Sequence, residues 1–511
     1  MATRRSSDTQ TITVSLWGKP VGILSWNPQT QSSLFWFSPE YLREPYDLTP
    51  ITHPKGMLSP AIAIPGLREP KIYQGLPPFL ADSLPDRWGN DLFDQWFASE
   101  GLHRKDKTPL TKLSFIGRRA IGALEFAPVI DSGFYDAQTV RIDALYALAK
   151  EVEQQLAGMS IASADPLTRK ALLSIGTSAG GRQMKAILSI APDGSFHSGQ
   201  TTAAPSFEHC ILKFNTPEHA LSETEMTYYE MAVAAGINMM PSRLIEVEGV
   251  QHFLTRRFDR KDGRKIFIQT LAAINPDANS YEDLFRTARE ISVPKPEIDE
   301  LFRRAVFNVL ANNTDDHEKN FSFLMDQDGQ WHLSPAYDMT FIIAANGREP
   351  QMSRCLSIGG KVTDISEEDL IRLGHNNAVK NPAGIIRQVR EGISIFMEAA
   401  RRNGVDAFHI ELIAKRLAEL NPVLGITVPG AEKYSFVAAD GTEVADLRFE
   451  RTESGNIHIT ARIGGRDVKY VVTSKKALYQ EILQAGFNAM PDREKEAIAA
   501  KYLLSAVQKT I

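Results

Sequence analysis

Cysteine is almost missing from this sequence: Cys210 and Cys355 are the only two in 511 residues. Neither a disulfide framework nor a thiolate zinc site can be built from them, which fits a reducing compartment. No apolar run is long enough to cross a bilayer. The opening stretch MATRRSSDTQTITVSLWG has arginines without the apolar segment of a secretory signal. A cytoplasmic protein with no membrane partner is expected. Positive charge is not in surplus either. Against 57 lysines and arginines stand 62 aspartates and glutamates, a net charge of -5, so no basic face for autonomous nucleic-acid binding is expected. The H-E-x-x-H pattern of zinc hydrolases is absent, as are internal repeats and low-complexity tracts.

What remains is an ordinary globular composition, 43% hydrophobic and 23% charged, over a length that corresponds to about three to four domain-sized units. Residues 1–130 read as a small α+β domain. Strands alternate in TITVSLWGKPVGILSW and SSLFWFSPEYL, a proline-rich loop enters an aromatic helix in GLPPFLADSLPDRWGNDLFDQWF (75–97), and LSFIGRRAIGALEF (113–126) suggests strand and turn. Residues 131–275 begin with a helix near 141–158. KALLSI (170–175) then predicts a strand, GTSAGGRQ (176–183) a glycine loop, MKAILSIA (184–191) a second strand and HCILKFN (209–215) a third. SETEMTYYEMAVAAGI (222–237) predicts a helix opened by a Ser222…Glu225 capping box and closed around Gly236, with two more strands after it. Residues 276–425 are helix-rich, interrupted by NNTDDHEKN (312–320) and WHLSPAYDMTFII (331–343). Residues 426–511 show hairpin patterning followed by two helices, and their role is open.

Five features carry chemistry. Gly176, Gly180 and Gly181 let the backbone approach a ligand and offer consecutive N–H groups to phosphate. The loop is not a Walker A motif, because Arg182 stands where that motif needs lysine and a strand follows. Lys213 lies among Ile211, Leu212 and Phe214, where a lysine needs either water or an anion. Glu225 is a possible partner, with helix capping as its competing role. Asp315 and Asn320 have the D-x-x-x-x-N spacing by which protein kinases place a catalytic base and a magnesium ligand. Asp338, in YDMTF, is a second acidic residue in apolar surroundings, where an unpaired carboxylate is costly. Asp316 and His317 invite a metallohydrolase reading, but no companion ligands accompany them, and His317 reads as a hydrogen-bonding or packing residue. Phosphate loop, strand lysine, helix glutamate, D-x-x-x-x-N and a late aspartate follow one another in the order of a kinase's functional parts.

At this point the sequence resembles the HipA family of bacterial toxin serine/threonine kinases, from about residue 12 to 420. The motifs are VSLWGKPVGIL, LPPFLADSLPDRWG, IGRRAIGALEF, TSAGGRQMKAIL, CILKFN, ETEMTYYEMAVAAGI, RRFDR, TDDHEKNFSF and SPAYDMTF, the last two being the most specific. The resemblance implies an α+β, protein-kinase-like two-lobed fold: a small β-rich lobe with the glycine loop and a helical C-lobe, preceded by the N-terminal domain and followed by the extra section. It implies ATP and Mg2+ as cofactors and Asp315 as catalytic base, with Asn320 and Asp338 as metal ligands. Ala179, Gly180, Gly181, Arg182, Gln183, Met184, Lys185 and Lys213 would contact the nucleotide phosphates. Arg256, Arg257 and Phe258 would form the hinge. His317, Glu318, Lys319, Asn320, Tyr337 and Asp338 would line the rest of the site.

In that family a serine of the glycine loop is autophosphorylated, which ejects the loop. Here the loop is one residue longer than the commoner form, so Thr177 and Ser178 both stand as candidates. The resemblance also implies a HipB-type DNA-binding antitoxin, with DNA reached only through it, and a translation-related target such as an aminoacyl-tRNA synthetase. Two other readings compete: a catalytically silent subunit that binds nucleotide or antitoxin as a corepressor, and a small-molecule kinase of related fold. Intact Asp315, Asn320, Asp338 and Lys213 weigh against the first, and the N-terminal motifs against the second.

Overall fold

The computed structural model describes residues 10–69, 72–99, 106–130, 139–155, 183–198, 205–215, 221–344 and 349–426. In the C-terminal section it describes 434–437, 441–451, 456–463, 466–473, 478, 482 and 492–504. The chain opens with β1 (Thr11–Leu16), β2 (Lys19–Asn27), β3 (Ser32–Phe37) and β4 (Ala63–Pro65). Three helices follow, α1 (Pro78–Ala81), α2 (Arg87–Ser99) and α3 (Pro109–Ile116), and then β5 (Leu124–Ala127), giving an antiparallel sheet in the order β4-β3-β2-β1-β5. Alternation is what makes β1 a strand with one wet face: Ile12, Val14 and Leu16 are buried while Thr11 and Thr13 are exposed. The strand expected at 113–126 is confined to β5. Thr108 accepts a hydrogen bond from the Thr111 N–H and Pro109 occupies the first turn, so Leu113–Ile116 completes a helix instead, which Gly117 ends at φ +57°.

After α4 (Ile142–Gln155) come β6 (Lys185–Ile190), β7 (Phe196–His197), β8 (Glu208–Lys213), α5 (Leu221–Ala234), β9 (Ser242–Val247) and β10 (Val250–Arg256). They form an antiparallel sheet in the order β7-β6-β8-β10-β9. The strand expected at 170–175 and the glycine loop at 176–182, with Thr177, Ser178, Ala179, Gly180, Gly181 and Arg182, lie outside the described residues. The Ser222…Glu225 capping box does not form. The helix already begins at Leu221, the Ser222 hydroxyl accepts from the Phe253 N–H at 3.2 Å, and Glu225 is drawn to Lys213.

A small hairpin, β11 (Arg260–Lys261) and β12 (Arg264–Lys265), leads to the helical body. There β13 (Phe267–Thr270), β14 (Ser322–Met325) and β15 (Trp331–Leu333) form a three-stranded sheet. Around it lie α6 (Leu271–Ile274), α7 (Tyr281–Glu290), α8 (Lys295–Leu310), α9 (Glu367–Asn376), α10 (Pro382–Ile393), α11 (Phe396–Arg402) and α12 (Ala407–Leu420). On α8 the buried side chains Ile298, Leu301, Phe302, Ala305, Val306 and Val309 recur every three to four residues, the period that puts them on one face. The C-terminal section is an antiparallel sheet, β16 (Tyr434–Val437), β17 (Glu443–Arg451), β18 (Ile457–Ile463) and β19 (Arg466–Val472), with α13 (Asp492–Ala499). It has its own core of Val444, Leu447, Ile457, Ile459 and Leu503, with Phe408 of α12 packed against it.

Two larger cores hold the rest together. One joins the N-terminal sheet to α5 and the helical body, with Val14, Leu24, Phe35 and Leu84 in the same cluster as Tyr228, Phe267, Phe302 and Phe323. The other fills the space between α2, α4 and the five-stranded sheet, with Trp88, Phe93, Trp96 and Tyr146 against Met184, Leu188, Leu212 and Leu254. The chain crosses from one core to the other between Leu84 and Trp88. Among the described residues, no helix is long and apolar enough to cross a membrane.

Candidate active site

Pairing of β6 with β8 sets Lys185 directly opposite Lys213. Opposed residues project from the same face of a sheet, so two ammonium groups stand side by side, which is unfavourable unless carboxylates join them. Three do. Lys213 Nζ lies 2.5 Å from Glu225 Oε1 on α5 and also donates to Asp338 Oδ1. Lys185 Nζ lies 2.9 Å from Oδ2 of Asp86, a residue of the N-terminal domain. Burial works against the charge of Lys213, but Asp338 and Glu225 outweigh it and hold the ammonium above the ordinary lysine value. Burial likewise pushes the Glu225 carboxyl up, against the pull of Lys213. At Asp338 burial loses: Lys213 and Lys185 keep that carboxyl below its ordinary value.

Asp338 has φ +53°, a left-handed conformation that aspartate adopts more readily than most residues and that persists only where the surroundings hold it. The surroundings here include Tyr337, whose hydroxyl donates to the Lys319 carbonyl at 2.7 Å and is bonded to Ser322 Oγ. Asp338 is thereby fastened to the end of NNTDDHEKN.

That segment begins where α8 stops. Asn312, at φ +54°, terminates the helix in the left-handed conformation. Its amide donates to the Gln351 carbonyl at 3.1 Å and accepts from Arg416 Nε at 2.9 Å. Asn313 turns inward to Asn308. Asp316 is buried and accepts from the Tyr281 hydroxyl (2.7 Å), Arg354 Nη1 (2.7 Å) and the Cys355 N–H (2.9 Å). Asp315 is different: its side chain is 49% exposed, with His317 Nε2 at 3.9 Å. Asn320 Nδ2 donates to the Asp315 carbonyl at 2.6 Å, which turns its Oδ1 away from that bond. His317 Nδ1 accepts from the Lys319 N–H at 3.1 Å and caps the turn Glu318–Asn320. Among the described residues no group of three or more histidines, cysteines, aspartates and glutamates could hold a metal.

Not every expected contact residue turns its side chain to this place. The Arg257 guanidinium is buried on Asp259, at 2.7 and 2.8 Å, and only its backbone remains on the chain that leaves β10. Arg256 is exposed at the strand end. The Phe258 ring packs 5.7 Å from that of Tyr337. Met184 belongs to the sheet core, and Gln183 donates to the Phe214 carbonyl at 2.9 Å. Glu318 lines a groove with Arg68, Tyr73 and Asp277. Asp86 was not foreseen as part of the site. Its sequence signal, an acidic residue just before an aromatic helix, reads as a helix cap, and it is one: Oδ1 accepts from the Gly89 N–H at 2.6 Å.

Two family descriptions match the chain, the HipA N-terminal domain over residues 12–127 and the HipA-like C-terminal domain over 177–400. Over 216 residues the chain is 27% identical to the Sinorhizobium fredii protein named "Putative kinase Y4mE", covering 36% of this chain and 50% of that one. It is 24% identical over 216 residues to "Putative kinase Y4dM" of the same species, covering 38% and 52%. The chain thus spans about half the length of these curated relatives. A HipA–HipB–operator DNA complex from Shewanella oneidensis MR-1 contains a chain that superposes with a TM-score of 0.54 at 17% identity, covering 81% of this chain and 98% of that one. The similarity is one of fold. With both domain descriptions matched and the α+β, kinase-like architecture in place, this chain belongs to the HipA family.

Proposed function

We propose that this protein is an ATP- and Mg2+-dependent serine/threonine protein kinase and the toxin of a type II toxin–antitoxin pair. The observation that carries the reading is Lys213 held between Glu225 and Asp338, with the half-exposed Asp315 on the adjoining segment. A strand lysine paired with a helix glutamate beside a metal-type aspartate is the arrangement kinases require for phosphoryl transfer.

The donor set suits magnesium. Asp338 Oδ1 serves Lys213 and leaves Oδ2, while Asn320 offers Oδ1; both are hard oxygens. These two oxygens would hold a Mg2+ ion, which is commonly bound by one or two protein groups together with water and phosphate. When bound, the ion supplies neutralisation of phosphate charge. The chain's own residues do the rest. Lys213 and Lys185 offset the negative charge of the phosphates, and Asp315, open to solvent, accepts the proton of an acceptor hydroxyl. The hydroxyl oxygen then bonds to the γ-phosphorus as the bond to the β–γ bridging oxygen breaks.

Two finer proposals accompany this one. Thr177 or Ser178 is the autophosphorylation site: a phosphate there adds about -1.5 to -2 charges and repels the nucleotide the loop would cradle. A HipB-type DNA-binding antitoxin is the partner, with a translation-related protein such as an aminoacyl-tRNA synthetase as target. The antitoxin is supported by the complex in which the S. oneidensis neighbour is found, and the net charge of -5 is in keeping with DNA being reached through it. The deciding experiment is incubation with labelled ATP and Mg2+, followed by peptide mapping. Label on Thr177 or Ser178 that is lost in Asp315→Ala is expected. No ATP binding and no label on any protein would overturn the kinase in favour of a silent subunit.

A further inference from the structure

We propose that the segment from Leu80 to Trp88 is an interlobe tie, through which Asp82 and Asp86 of the N-terminal domain set the spacing between the two halves of the cleft. Asp82 holds the lower half. Its Oδ2 accepts from the Thr270 N–H at 2.7 Å and its Oδ1 from the Thr270 hydroxyl at 2.8 Å. Thr270 pairs with Ser322 across β13 and β14, and the next N–H, of Leu271, donates to the Phe321 carbonyl at 2.8 Å. This anchor therefore sits against the residues that directly follow Asn320.

Asp86 holds the upper half. Its carboxylate meets Lys185 at 2.9 Å, and Trp88 Nε1 donates to the Lys185 carbonyl at 3.0 Å, so both the side chain and the backbone of the first β6 residue are gripped. Lys185 stands opposite Lys213, whose ammonium meets Asp338. One short stretch of the N-terminal domain thus grips β6, which pairs with the strand of Lys213, and β13, which pairs with the strand that follows the acidic segment.

The stretch has little slack. The anchors are four residues apart, which spans at most about 14 Å when fully extended. Pro85 fixes one φ between them, and Phe79, Leu80, Ala81 and Leu84 are buried on the lower side while Trp88 is buried on the upper. The Asp86 and Lys185 side chains are 7% and 2% exposed, so parting them would leave two charges uncompensated in the interior. Hinge opening of the cleft must break one anchor or move both. Neither aspartate performs chemistry; both are positioning residues. The inference uses the kinase reading only in naming the space between the halves a nucleotide cleft.

The test is a distance between the halves, measured by pulsed electron paramagnetic resonance on the full chain. Spin labels are placed at Glu246→Cys on β9 and Arg387→Cys on α10, both exposed, in a Cys355→Ser background with Cys210 left buried. The parent should give one narrow distribution. Asp86→Asn and Asp82→Asn should each broaden or shift it by more than about 2 Å, with the double variant widest, and should raise the KM for ATP about tenfold with a smaller change in kcat. Asp82→Asn keeps one oxygen for the Thr270 N–H and loses only the second bond, so it carries the test if Asp86→Asn fails to fold. Distributions that superpose on the parent's would overturn the tie. Calorimetry that finds no ATP binding to the parent would sink the kinase reading instead, while the distance measurement still decides the tie.

Discussion

Asp316 gives both carboxylate oxygens to the protein: Oδ1 to the Cys355 N–H, and Oδ2 to Arg354 and the Tyr281 hydroxyl. Asp315, one residue earlier, is half exposed, with a histidine nitrogen 3.9 Å away. The same contrast separates the two charge clusters these residues belong to. Asp316, Arg354, Tyr281 and Asn308 form a buried network that ties the segment 312–320 to the chain following Asp338. Among the described residues, Asp338 and Asn320 each retain an oxygen beyond the bonds they make. A carboxylate whose bonds are spent inside the protein serves architecture, and one with bonds to spare at an open edge can serve chemistry.

Exchanging members of the two clusters should give opposite signatures. Asp315→Ala should lower phosphoryl transfer by roughly 10²–10⁴-fold while leaving thermal unfolding unchanged; turnover close to the parent's would remove Asp315 from the role of base. Arg354→Ala should do the reverse first. It leaves Asp316 buried without its cation, at a cost of about 3–5 kcal/mol in a denaturant titration, and a shift under about 1 kcal/mol would mean that Tyr281 and the Cys355 N–H suffice. Lys213→Ala belongs to the cleft and should weaken Mg-ATP binding at least about tenfold, or 1.4 kcal/mol. Calorimetry with an unchanged Kd would make Lys213 a purely structural partner of Glu225.

The smallest expected effect comes from a carboxylate with no full cationic partner. Burial pushes Glu223, on the first turn of α5, up to about 7; the Asn215 amide opposes this, Asp406 adds to it and His409 opposes it. Its folded value lies above its unfolded one near 4.5, so its contribution to stability is complete below that pH and is lost as pH rises through about 7. A decline of about 1 kcal/mol between pH 5 and 8 is expected, discounted from the full shift because the group is partly screened. Glu223→Gln should flatten the curve. An identical slope in the variant would assign the pH dependence elsewhere.

Much of the fold could be read from residue order. Alternation in β1 to β3, the apolar-rich segments of β6, β8, β9 and β10, the three-to-four spacing on α8 and the turn residues around Gly236 are local signals, and each produced the expected element. The lysine of β8, the glutamate of α5 and the late aspartate were legible because charge in an apolar strand or loop demands an explanation. Where local signals competed, packing chose. LSFI became the end of α3 because of a cap five residues upstream, and Glu225 left its capping role for Lys213.

What the linear chain could not convey is which charges meet. Composition and periodicity settle which face of an element is buried, since the hydrophobic effect acts on surface without regard to partner. Ion pairs are directional and join residues far apart in the chain: Lys213 with Asp338, Asp316 with Arg354, Lys185 with Asp86. Nothing near Asp86 announces Lys185, and nothing near Lys185 announces Asp86. Only when the N-terminal sheet packs on the helical body and α2 packs on β6 does the aspartate arrive beside the lysine. Burial then makes the pairing compulsory, because neither charge has water to turn to.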